Sequence, residues 1–328
     1  MRLEEQRLQI RHQRRRGTAS LANEEDGKER ALVDCSHNGL LALSDGSLFT
    51  KDLRLDGQGD TTLSRFDPET LEPVGQALTL PEGSMGRIAA DIDADGVECV
   101  YVPGTEHVFR VVIDGDRMAL DGWRPRYRSV GGPHGLAWDA CLSGEAVWLM
   151  DNGDVASVRH IHTTTPNGRF DTPPDLSWRQ AAPWDGPQRL HRLDPLTGEA
   201  TSVAPFGLPG GGIIAPPVVV PERGVAVAWD SINGGLAGVS IDEMAPTWTL
   251  DIRPSMQPIV YPDSGELVIN DFADDGIDYL VVVDVETGEL LDRVDTGSRI
   301  ANGMFLSAGD DRDVYYCSTL TLARVHWT

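Results

Sequence analysis

The chain is short of several things, and each shortage removes a class of function. Its 328 residues include only two lysines, Lys28 and Lys51, and 28 basic residues face 51 acidic ones, for a net charge of −23. A field of that sign disfavours nucleic acid and anionic membrane as partners and favours solubility. No run of 18 apolar residues occurs, so no segment reads as a spanning helix. The N-terminus lacks an apolar stretch followed by a cleavage site, so it does not read as a secretory signal, and the expected location is cytoplasmic. The four cysteines, Cys35, Cys99, Cys141 and Cys317, show no C-x-x-C spacing. They read as singly placed, reduced thiols. There is no phosphate-cradling glycine loop, H-E-x-x-H, G-x-S-x-G or zinc-finger spacing. No nucleotide or organic cofactor is therefore expected, and a serine-hydrolase reading has no motif behind it.

What is present is a repeat. H-N-G-L-L-A-L-S-D-G-S-L-F at 37–49 returns at 133–148, 257–269 and 301–316. A second element, a hairpin turn, reads D-P-E-T-L-E at 67–72, D-P-L-T-G-E at 194–199 and D-V-E-T-G-E at 284–289. A period of roughly 45 residues built from short strands indicates a β-propeller. Each unit reads as four antiparallel strands. Tight glycine turns (Asp45-Gly46, Ser143-Gly144, Ser264-Gly265) join the first two strands, and the D-x-x-T-G-E turn joins the last two. First strands are expected to begin near Asn38, Arg87, His134, Ala215, Gln257 and Asn302, which makes an all-β, six-bladed propeller spanning 29–328.

A propeller must close its ring, because an open sheet edge is an aggregation hazard. The last unit holds only about three strands by this count. The segment E-R-A-L-V-D-C at 29–35 is therefore expected to supply the missing strand beside 320–327. Residues 1–28 carry a basic, weakly helical pattern and read as a flexible arm.

In such a fold the loops entering each first strand and those joining second to third strands share one face, around the channel mouth. His134, held between Gly-Gly-Pro and Gly, is the candidate base. Arg87 is suited to grip a carboxylate or oxyanion. Asp151 and Asp230 are candidate supporting carboxylates. Asn38, Gln257 and Asn302 are candidate substrate contacts. Asp52, Glu106, His107, Asn270, Asp271 and Ser318 also fall at second-strand exits. A hard divalent ion, calcium first, would find oxygen ligands in Asn38, Asp230, Asp271 and Asn302.

One connection is far longer than the others. Residues 153–188 join a second strand to a third, and loops of that length are usually lids or binding loops. His160, His162, Trp178 and Trp184 make it a candidate lid over the mouth.

The phrases P-H-G-L-A-W-D (133–139) and A-N-G-M-F-L-S-A-G-D-D-R-D-V-Y-Y-C-S (301–318) resemble strand-one motifs of the gluconolactonase, senescence-marker and strictosidine-synthase-like propellers. The resemblance implies a six-bladed ring and, in the calcium-dependent lactonases of that group, an ion held by a Glu at the start of blade one with Asn and Asp from later blades. Asn38 stands where that Glu would be, and Ala215 and Gln257 replace polar or acidic ligands. His134 is closer to the histidine-using propeller lyases and synthases. The expected function is a small-molecule hydrolase or lyase, for lactone or ester opening or for elimination, as monomer or dimer. The alternative is a propeller that binds a ligand or protein without chemistry.

Overall fold

The computed structural model describes residues 9–10, 18–22, 29–34 and 39–326, except 53–59, 85, 94, 129–138, 144, 152–185, 209–210, 213–214, 300–302, 310–311 and 319. Nearly every regular element is a β-strand. The chain divides into two compact units, residues 1–133 and 134–328.

The N-terminal unit opens with a three-stranded sheet of β1 (Gln9–Ile10), β2 (Thr18–Ala22) and β3 (Glu29–Asp34). Two four-stranded antiparallel meanders follow. The first is β4 (Leu40–Ala42), β5 (Leu48–Lys51), β6 (Thr61–Phe66) and β7 (Leu78–Leu80). The second is β8 (Ala89–Ile92), β9 (Glu98–Pro103), β10 (Val108–Asp114) and β11 (Arg117–Leu120).

Among the described residues, the C-terminal unit holds three more four-stranded meanders and one of three strands. The third meander is β12 (Cys141–Ser143), β13 (Ala146–Asp151), β14 (Arg189–Leu193) and β15 (Ala200–Val203). The fourth is β16 (Val218–Val220), β17 (Val225–Trp229), β18 (Leu236–Ser240) and β19 (Pro246–Leu250). The fifth is β20 (Ile259–Tyr261), β21 (Glu266–Phe272), β22 (Asp278–Asp284) and β23 (Leu290–Ser298). The sixth is β24 (Gly303–Ala308), β25 (Asp313–Ser318) and β26 (Leu322–His326).

Second strands are deeply buried. β13, A-V-W-L-M-D, and β17, V-A-V-A-W, are buried at every residue, whereas fourth strands such as β19 and β23 are largely exposed. A strand buried on both faces must be apolar on both, which removes the usual alternation. One core joins the third, fourth and fifth meanders through Trp148, Met150, Leu190, Trp229, Leu236, Ile269 and Val281. Another joins the first two through Phe49, Leu63, Val100 and Phe109. Met256, Val268, Val314 and Tyr316 unite the fifth and sixth. Burial pushes the Cys141 thiol up to about 12, in keeping with an inert structural cysteine. Cys99, Cys141 and Cys317 are free.

The D-x-x-T-G-E turns lie between third and fourth strands, as the spacing predicts. Asp67 Oδ1 accepts the N–H groups of Glu69 (2.9 Å) and Thr70 (2.8 Å), and Asp194 and Asp284 repeat the arrangement. The position taken by Gly198 and Gly288 has positive φ in both. In the first meander Leu71 holds that strained conformation, at φ 57°, and its side chain is buried.

Two expectations are corrected. The basic arm is not helical in its described parts: residues 9–10 and 18–22 are strands. Among the described residues, the expected pairing of 29–35 beside 320–327 does not occur in the strand order. β3 pairs with β2, from Thr18↔Asp34 to Ala22↔Glu29, and β26 pairs with β25. A hairpin closed by a short loop confines far less chain than a pairing between the two ends of the sequence, so the local partner is favoured entropically.

Candidate functional site

Every meander has two unlike ends. At one, tight turns join first to second and third to fourth strands. At the other, second strands exit and first strands enter. Among the described residues, buried ionisable side chains concentrate at the exit end: Lys51 and Arg128 in the N-terminal unit, and Asp139, Asp151, His191, Asp230, Asp271 and Asp278 in the C-terminal unit. Arg65 and Asp313 are the buried exceptions at the turn end. Each has a local partner there: Asp45 for Arg65, and Arg324 for Asp313.

The expected site residues divide accordingly. Asp151 ends β13, Asp230 follows β17 directly, and Asp271 stands near the end of β21; all three are buried. Arg87 and Gln257 each stand two residues before a first strand and are exposed. Asn38, His134, His160, His162, Trp178, Trp184 and Asn302 lie outside the described residues. The long insertion does join a second strand to a third, because Asp151 pairs directly with Arg189 across it.

In the N-terminal unit, one of the chain's two lysines is buried. Lys51 ends β5, and its Nζ donates to the Ser84 carbonyl at 2.9 Å. Its stem lies over Gly39, where a Cβ would overlap it, so the glycine of the H-N-G phrase has a packing reason. Ser84 is buried, and its hydroxyl has no partner among the described residues. Glu82, two residues earlier, holds His107, which immediately precedes β10: Nδ1 lies 2.5 Å from Oε1.

In the C-terminal unit three polar clusters follow from strand register. Leu149 faces His191 and Asp151 faces Arg189 across β13 and β14. Residues two apart share a face, so Asp151 and His191 meet on the diagonal. Asp151 Oδ2 lies 3.6 Å from His191 Nε2, with both side chains almost wholly buried. The opposite face of this strand pair carries Trp148, Met150 and Leu190 into the core.

Asp230 caps the connection that follows β17. Its Oδ1 accepts N–H groups of Gly212 (3.0 Å), Ile232 (2.9 Å) and Asn233 (3.0 Å). Its Oδ2 faces Asn233 and Gly211, where a Cβ would overlap it. Burial raises the Asp230 pKa, against the lowering by those N–H donors.

The third cluster bridges the fifth and sixth meanders. Asn270 Oδ1 accepts from the Ser255 and Met256 N–H groups, and its Nδ2 donates to Asp278 Oδ1 at 2.9 Å. Tyr316 donates its hydroxyl to Asp278 Oδ2 at 2.5 Å. Burial raises the Asp278 pKa despite both bonds, and burial with the Asp278 bond pushes Tyr316 up to about 12.

Glu82, His191, Asp278 and Tyr316 were not singled out by sequence. A weak signal existed for two of them. His191 interrupts the apolar positions of R-L-H-R-L, and Asp278 opens the strongly apolar D-Y-L-V-V-V.

Of the four calcium candidates, Asn38 and Asn302 lie outside the described residues, and the other two already have partners. Asp230 commits Oδ1 to three backbone donors. Asp271 is held between the Arg253 N–H (2.9 Å) and the Arg293 guanidinium (3.1 Å). Among the described residues no three His, Cys, Asp or Glu side chains gather as a metal would need.

No protein-family model matches the chain, and no curated protein matches it. Solved structures do. BamB from Moraxella catarrhalis is 11% identical with a TM-score of 0.57, over 94% of this chain and 76% of that one. The Dos1 propeller is 10% identical with a TM-score of 0.60, over 94% and 72%. A europium-containing methanol dehydrogenase is 10% identical with a TM-score of 0.53, over 91% and 71%. Likeness at this level of identity is one of fold, and the fold is a β-propeller.

Proposed function

We propose that this propeller is a small-molecule enzyme, a hydrolase or lyase working by proton transfer at the end of the meanders where second strands exit. The observation that carries the reading is the sorting of buried ionisable groups to that end. Burying a charged or titratable side chain is costly unless it is paired, so their concentration at one end needs a reason beyond folding. The sequence resemblance to the gluconolactonase group adds lactone and ester opening as the first reactions to try.

In the C-terminal unit the Asp151–His191 pair supplies an acid–base couple, with the carboxylate 3.6 Å from the imidazole and able to balance its charge. It stands at the root of the 152–188 connection. Asp230, with its pKa raised, is a candidate proton donor. His134 keeps its place as a candidate base on its glycine-bounded sequence context. No step is assigned to a metal.

The test is a panel of small lactones, carboxylic esters and elimination substrates offered to the full chain. Turnover of one class is expected, with loss of about a hundredfold or more in Asp151→Asn and His191→Gln. Asp67→Asn, at the turn end, should be silent. Absence of turnover across the panel, or turnover indifferent to the exit-end substitutions, would overturn the proposal.

A further inference from the structure

The N-terminal unit carries a second acid–base pair, and its geometry differs from that of Asp151 and His191. Glu82 Oε2 accepts the N–H groups of Glu106 (2.8 Å) and His107 (3.1 Å), with the Thr105 hydroxyl at 3.4 Å. A Cβ on Gly104 would overlap this carboxylate, so the glycine makes its seat. The other oxygen, Oε1, lies 2.5 Å from His107 Nδ1. A carboxylate fixed at one oxygen and bonded to Nδ1 at the other sets both ring orientation and tautomer: the proton sits on Nδ1 and the lone pair on Nε2. Nε2 has no partner among the described residues, and the side chain keeps 27% of its exposure. The ring leans on Phe109, its centroid 6.2 Å away. The neighbouring Glu106 is paired with Arg126 at 3.1 Å.

We propose that His107, positioned by Glu82, is a nucleophilic, proton-accepting centre for small acyl compounds, namely carboxylic esters or lactones. This rests on the acid–base reading above for its biological use, but its chemistry can be tested alone. Nε2 attacks the acyl carbon. The carbon–oxygen bond to the leaving group breaks, and that oxygen departs with the bonding pair. The positive charge on the acylated ring is balanced by the Glu82 carboxylate. Water then attacks the acyl-imidazole, releasing the acid and a proton and restoring the lone pair on Nε2.

The experiment follows p-nitrophenolate release from p-nitrophenyl acetate by the full chain, against free imidazole at equal histidine concentration. The protein-specific rate should fall about tenfold or more in His107→Asn. It should fall about tenfold in Glu82→Gln and recover in part in Glu82→Asp. A His107→Asn protein that retains the rate overturns the proposal. If that variant fails to fold, diethylpyrocarbonate modification of the unaltered chain decides. His107 should react faster than His326, whose Nδ1 also meets a carboxylate, that of Asp313 at 2.9 Å. Equal or slower reaction overturns the assignment. Turnover indifferent to Asp151→Asn and His191→Gln, alongside acyl transfer lost in His107→Asn, would remove the proposed function and leave this inference standing.

Discussion

The two ends of the meanders treat the same side chain in opposite ways. At the turn end, Asp67 is half-buried and Asp194 exposed, and neighbouring backbone N–H groups hold their carboxyls below the usual range. At the exit end, Asp230 and Asp278 are buried, and loss of water raises theirs even though they too accept hydrogen bonds. The number of donors does not explain the difference, since Asp230 accepts from three backbone groups. Solvent access decides it: desolvation of the charged form outweighs the bonds that favour it. Asp67 and Asp194 therefore serve the chain as turn caps near solvent, while Asp230 and Asp278 are buried carboxyls whose neutral form is favoured.

The sharpest way to break this contrast is Asp278→Ala. It removes the acceptor that the buried Tyr316 hydroxyl and Asn270 amide share, leaving the amide only Ser255 Oγ, and should cost about 2–4 kcal/mol in denaturant unfolding. A loss no larger than that of a turn-end substitution would mean the exit-end carboxylates are dispensable.

Asp278→Asn tests the raised pKa separately, because an amide can keep bonds to both neighbours. As pH rises above 3.8, the ordinary value for Asp, the unfolded chain releases this proton while the folded chain retains it. Stability from this group is thus lost between that pH and the raised native value. Unfolding curves across this window should show the loss in the parent chain and a smaller one in the variant.

The smallest effect is expected from Asp194→Asn, and its sign is reversed. The lowered pKa gives stability that is present above 3.8 and lost as pH falls through the native value. The variant should melt slightly lower at neutral pH and lose less on acidification. A parent and variant with parallel acid profiles would show that the cap contributes nothing through its charge.

Much of this organisation was legible in sequence. The repeat placed first strands near Arg87, Ala215, Gln257 and Asn302, and those strands open at 89, 218, 259 and 303. The D-x-x-T-G-E phrases marked turns because an Asp side chain can cap the N–H groups two and three residues on, which is a local event. His134 lies outside the described residues, and the first described strand after it, β12, opens at Cys141. Among the described residues, 29–34 pair with β2 and not beside 322–326, since chain order shows that a strand lacks a neighbour but not which neighbour it takes.

The sequence by itself determined the β-rich repeat and the turn chemistry, because both depend on residues a few positions apart. Only the tertiary structure joined Asp151 to His191, Glu82 to His107 and Asp278 to Tyr316. Those pairs span 40, 25 and 38 positions. Their meeting depends on strand register and on which faces pack together. A slip of one residue would turn every partner to the opposite face, and no local pattern in the chain records that choice.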